Sequence, residues 1–126
     1  MNEGDSLPVI EKLVTQELIH KYAEAAGDFN PIHVDEGFAA TSPFGGTIAH
    51  GMMIVATISE MMTVAFQADW LTGGRLKIRF RTPVRPGDTV STFGRVNAVR
   101  DIEGAKELVC SVGVRKKSGE DAITGD

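Results

Sequence analysis

From Ile48 to Ala68 the chain reads as one long helix that is apolar on nearly every face, carried by Met52, Met53, Ile54, Val55, Ile58, Met61 and Phe66. A helix of that kind is normally buried on most sides. In a chain of 126 residues, something among the remaining elements has to wrap it. Ser59, Glu60 and Gln67 break the run, so its continuous apolar stretches are far too short for a membrane span.

The wrapper follows directly in the chain. Arg75 to Arg81 alternates basic and apolar residues at period two, the pattern of a strand with one buried face. Pro86-Gly87-Asp88 reads as a turn, and Thr89 to Val99 and Lys106 to Lys116 as two further strands joined near Asp101 to Gly104. Ala122 to Thr124 reads as the stub of a last, short strand. Before the long helix, Pro8 to Val14 suits a strand, and Thr15 suits the N-cap of a helix over Gln16 to Ala26 that Gly27 ends. Asn30-Pro31 forces a turn, and Asp35 can cap a short helix through Ala40. The order predicts an α+β fold: a single domain over residues 1–126, with a curved antiparallel sheet around one buried helix.

Composition narrows the class. At this length about 65% of the unfolded surface can be buried, enough for a real core. Apolar residues make up 42% and charged residues 24%, ordinary for a globular protein. A net charge of −4 argues against nucleic acid as the main partner. The one cysteine, Cys110, permits no intrachain disulfide and sits in an apolar segment, as a small buried hydrophobe would. Met1 to Leu7 carries acids and no basic leader region. These features predict a soluble, cytoplasmic protein without a membrane segment.

Chemistry concentrates in two places. Gly27-Asp28-Phe29-Asn30-Pro31-Ile32-His33 sets an acid, an amide and an imidazole around one proline turn. A turn can aim Asp28 and His33 at one site, where a carboxylate and an imidazole together activate a water. The same spacing, common in proteins, by itself better suits a turn-capping Asp28 and a surface His33. Gly51 opens the long helix, where first-turn N–H groups lack helical partners and can hold a developing oxyanion. A glycine there lets a substrate approach the backbone closely, though helix packing asks for glycine too. Together the two features suggest a thioester or similar carbonyl held at the helix end, with water at the acid and histidine.

Tyr22 to His33, then Phe44-Gly45-Gly46-Thr47-Ile48-Ala49-His50-Gly51-Met52, then Phe80 to Asp88, resemble the MaoC-like family of (R)-specific enoyl-CoA hydratases. The resemblance spans about Ser6 to Gly125. It implies a hot-dog fold and reversible syn addition of water to a trans-2-enoyl thioester, giving an (R)-3-hydroxyacyl thioester. It assigns catalysis to Asp28 and His33 and the oxyanion amide to Gly51, with Asn30 and Ser59 in support. Ser59 lies roughly 12 Å along the helix axis from Gly51. The implied substrate is enoyl-CoA or 3-hydroxyacyl-CoA, or the corresponding thioester of an acyl carrier protein. No cofactor and no metal enter this chemistry. A lone hot dog of this family pairs, so a homodimer is expected, with the acyl pocket partly made by the partner. The last strand is short against the family pattern.

Other signals are weaker. Gly4-Asp5-Ser6-Leu7 spells a hydrolase block, but no strand precedes it to aim Ser6. His20, His33 and His50 lack metal-ligand spacing, and His50 is expected to pack or hydrogen-bond at the helix entry. Arg75, Lys77, Arg79, Arg81 and Arg85 form a basic stripe suited either to substrate phosphates or to a solvated strand face. The alternatives to a hydratase are a hot-dog thioesterase, a 3-hydroxyacyl-ACP dehydratase subunit, and a non-catalytic acyl-CoA-binding subunit.

Overall fold

The computed structural model describes residues 1–126. Five strands form one antiparallel sheet, β1 (Glu11–Leu13), β2 (Ile78–Phe80), β3 (Thr89–Ile102), β4 (Ala105–Lys116) and β5 (Asp121–Gly125). Their spatial order is β1-β3-β4-β5-β2. Five helices accompany them: α1 (Gln16–Ala26), α2 (Pro31–Val34), α3 (Glu36–Ala40), α4 (Gly51–Phe66) and α5 (Ala68–Gly73). The sheet curls around α4, the hot-dog arrangement, as expected from the sequence.

Local chemistry accounts for the main elements. The Thr15 hydroxyl accepts the Leu18 N–H at 3.1 Å and starts α1; Gly27, at φ 70°, ends it. Glu103 and Gly104 both adopt positive φ, the two-residue turn that matches the twist of a hairpin, and they join β3 to β4. A bulge between Val96 and Ala98 bends that long hairpin. Ile54, Ile58 and Met61 of α4 bury themselves with Val90, Val96, Val112, Val114 and Ile123 of the sheet in one core. Cys110 is buried as expected, and burial pushes its thiol up.

Several expectations need correction. The long helix begins at Gly51, not Ile48. The Ile48 and Ala49 N–H groups are taken by the Ile32 and Val84 carbonyls, which holds that segment extended. The helix stops at Phe66 because Gln67 turns to φ 52°, and the separate helix α5 follows. Nor is α4 buried on most sides: within this chain Met52 and Val64 are exposed, and one face carries the core. Asn30-Pro31 starts a helical turn, α2, where only a turn was expected. β2 keeps only three of the alternating residues, and its Phe80 is exposed. β5 is five residues long and lies inside the sheet, between β4 and β2, so the edge at that end is β2 and the other edge is β1. No helix is long and apolar enough to cross a membrane.

Candidate active site

The α1–α2 connection presents Asp28. Its Oδ1 accepts the Asn30 N–H at 3.2 Å, an Asx turn, and leaves the carboxylate exposed. The Asn30 side chain then caps α2 by accepting the Ile32 N–H at 3.1 Å, with Pro31 in the first helical position. Asn30 therefore shapes the turn between the acid and the imidazole.

His33 ends up half-buried with its tautomer assigned by its neighbour. Its Nδ1 lies 2.8 Å from the Ile48 carbonyl, which can only accept, so Nδ1 donates and Nε2 keeps the lone pair. Gln16 adds a brace that the sequence reading missed. Its amide donates to the His33 carbonyl at 2.8 Å, and its Oε1 accepts from the Thr47 hydroxyl at 2.6 Å. The partners that make Gln16 a brace lie 17 and 31 residues away, beyond any local spacing, although its Nε2 also lies 3.2 Å from His20 Nδ1 four residues on.

His50 is 2% exposed and packs against the rings of Tyr22 and His33. The His33 and His50 rings stack at 3.9 Å between centroids and 26° between planes. His50 Nε2 donates to the Asp28 carbonyl oxygen at 2.9 Å. The expected hydrogen bond at the helix entry is thus made, and it reaches the backbone of Asp28 itself. Gly51 follows as the first residue of α4. The first α4 bonds run from the Met53 and Ile54 N–H groups to the His50 carbonyl, and the Gly51 N–H donates to no protein acceptor.

Asp28, His33 and His50 each offer one donor atom within 4.8 Å of the others. That set does not suit a metal. A metal bonded at about 2.0 Å in the plane of one imidazole would lie well out of the plane of the ring stacked on it.

A pocket of about 300 Å³ opens beside these groups, lined by His33, Gly51, Ile48, Ile54, Phe80 and Arg81 among others. The Phe80 ring lies over Gly51: a Cβ there would sit 2.7 Å from its Cε1 atom. Ser59 stands apart from this pocket, and its hydroxyl accepts the Trp70 Nε1–H at 3.1 Å, which ties α5 to α4. In the basic stripe, Arg81 alone lines the pocket and donates to the Thr124 hydroxyl at 2.9 Å. A larger cavity of about 990 Å³, between α5 and the β3–β4 hairpin, includes Met62, Trp70 and Cys110 but neither Asp28 nor His33.

Known proteins resemble this chain over most of its length. Residues 3–118 match the family model described as MaoC like domain. The 3-hydroxybutyryl-CoA dehydratase of Methylorubrum extorquens is 32% identical over 84% of this chain and 68% of its own. The 3-hydroxyacyl-thioester dehydratase Z of Mycobacterium tuberculosis is 39% identical over 71% of this chain. Only 62% of that relative is matched, so the chain spans a little under two thirds of it. Among solved structures, the (R)-hydratase from A. caviae involved in PHA biosynthesis superposes with a TM-score of 0.82 at 27% identity. That superposition covers 99% of this chain and 92% of the hydratase.

Proposed function

The chain belongs to the MaoC-like family, and we propose that it catalyses the reversible hydration of trans-2-enoyl-CoA to (R)-3-hydroxyacyl-CoA. The observation that carries the reading is that the Asp28 carboxylate lies within 4.8 Å of a ring nitrogen of His33, while His33 and the unpartnered Gly51 amide line one pocket. Relatives named as dehydratases and hydratases support the reaction class.

The mechanism follows from those three groups. The Gly51 N–H, at the positive end of α4, holds the thioester oxygen and draws electron density from C3. Water held by Asp28 and His33 attacks C3, and His33 Nε2 takes its proton. The enolate formed at the Gly51 amide then regains one proton at C2 from the same pair, on the same face. One water is consumed and no redox change occurs. Asn30 shapes the turn that aims Asp28, whereas Ser59 ties α5 to α4 away from this pocket.

The reading is tested by two simultaneous records, loss of the conjugated enoyl absorbance and release of free thiol. Absorbance loss without thiol supports a hydratase; thiol release with a saturated acyl-CoA would make the chain a thioesterase. Gly51→Ala is expected to lower kcat/KM by about tenfold to a hundredfold, since a methyl group crowds the oxyanion site and displaces Phe80. Steady-state kinetics on the folded variant checks this, and an unchanged kcat/KM would remove Gly51 from the mechanism.

We also infer a homodimer formed at β2. The outer edge of β2 pairs with no strand, and Phe80 and Met52, each 60% exposed, stand beside Gly51. An unpaired edge is a template for a second strand. The partner would then wall the acyl pocket. Light scattering is expected to give twice the 13.5 kDa mass of the chain; a monomer that turns over substrate would contradict it.

A further inference from the structure

We propose that His50 is the positioning residue that holds Asp28 and His33 in register with the first turn of α4. The inference rests on the role given above to that pair, and it concerns a side chain that performs none of the bond-making steps.

One buried ring touches both members of the pair. Its Nε2–H holds the backbone carbonyl of Asp28 at 2.9 Å, and its face stacks on His33 at 3.9 Å. Its own backbone carbonyl accepts the first hydrogen bonds of α4, next to the Gly51 amide. Tyr22 of α1 packs on the same ring, 4.7 Å between centroids, so Asp28, His33 and Tyr22 are the titratable groups in contact with it. The α1–α2 connection, α2 and the mouth of α4 therefore meet on one imidazole.

His50 is badly chosen for stability alone. It occupies the N-cap of α4, where Ser, Thr, Asn or Asp would bond a free N–H, and it makes no such bond. Its Nδ1 is buried with no hydrogen-bond partner in the protein, an arrangement folded proteins rarely tolerate. Residues that break local rules in this way concentrate at functional sites. The ring serves instead to hold two catalytic groups, where a displacement of about 1 Å can cost on the order of a hundredfold in rate.

Two variants separate the donor from the ring. His50→Phe keeps a stacking ring and loses the donor; His50→Gln keeps an amide near the Nε2 position and loses the stack. With a trans-2-enoyl-CoA, His50→Phe is expected to lower kcat by about tenfold or more with KM little changed, and His50→Gln to recover most of that loss. A folded His50→Phe with wild-type kcat overturns the proposal. If His50→Phe does not fold, a folded His50→Gln that has lost more than about tenfold in kcat overturns it equally. Carbon and nitrogen NMR supplies a readout independent of turnover. The Asp28 carbonyl and His33 ring resonances are expected to move in His50→Phe, and the Asp28 carbonyl to return toward its wild-type position in His50→Gln. Unmoved resonances defeat the inference; inactivity of the wild-type chain, with those shifts present, defeats only the functional reading.

Discussion

His33→Gln is expected to lower kcat by at least about a hundredfold, the usual scale for a positioned acid–base group. The reason lies in how the ring is held. Its Nδ1–H is committed to the Ile48 carbonyl, so all of its proton-accepting capacity faces away through Nε2. Glutamine offers an amide that cannot take a proton from water at neutral pH. The Gln16 and Asn30 contacts to the backbone of residue 33 remain, so α2 is expected to keep its place. The lost side-chain bond to Ile48 costs on the order of 1 kcal/mol of stability, which a thermal melt reads. KM should change little, because the imidazole acts in the transition state more than in substrate binding. A folded variant within about threefold of wild-type kcat would take His33 out of the reaction.

Asp28→Asn is expected to lose a comparable factor, about a hundredfold or more. This is the cleaner substitution. The amide oxygen can still accept the Asn30 N–H, and the backbone carbonyl still receives His50. Only the charge and the proton affinity go. The double variant Asp28→Asn/His33→Gln should fall far short of the product of the two single losses, the result expected of groups proposed to act as one unit on one water. Multiplicative losses would show two independent roles and contradict the shared site.

The site was legible where chemistry is local, and hidden where it depends on distant packing. Thr15, Gly27 and the Asn30-Pro31 pair announce their roles within a few residues, since caps and proline turns act through neighbouring N–H groups. Gly51 was legible as the mouth of a long apolar helix, although the start of that helix was misread. Ile48 and Ala49 are apolar and continue the run, but their N–H groups belong to Ile32 and Val84, partners no periodicity reveals. The break at Gln67 was equally silent, because a non-glycine residue at φ 52° carries no sequence mark. His50 shows the limit most clearly. Its partner Asp28 is 22 residues away, and only the fold stacks it on His33. The alternation from Arg75 to Arg81 suggested a longer strand than the three residues that pair with β5.

The most direct test is hydration of a trans-2-enoyl-CoA by the wild-type chain in deuterium oxide, with the product analysed by chiral separation and NMR. The Asp28 carboxylate lies within 4.8 Å of a ring nitrogen of His33, which lines the pocket with Gly51, so the proposed pair would serve one face of the substrate. The expected product is (R)-3-hydroxyacyl-CoA carrying one deuterium at C2, added syn to the new hydroxyl, and formed at least about a hundredfold more slowly with Asp28→Asn. An (S) product, anti addition, or no hydration of any enoyl-CoA by the folded protein would contradict the account.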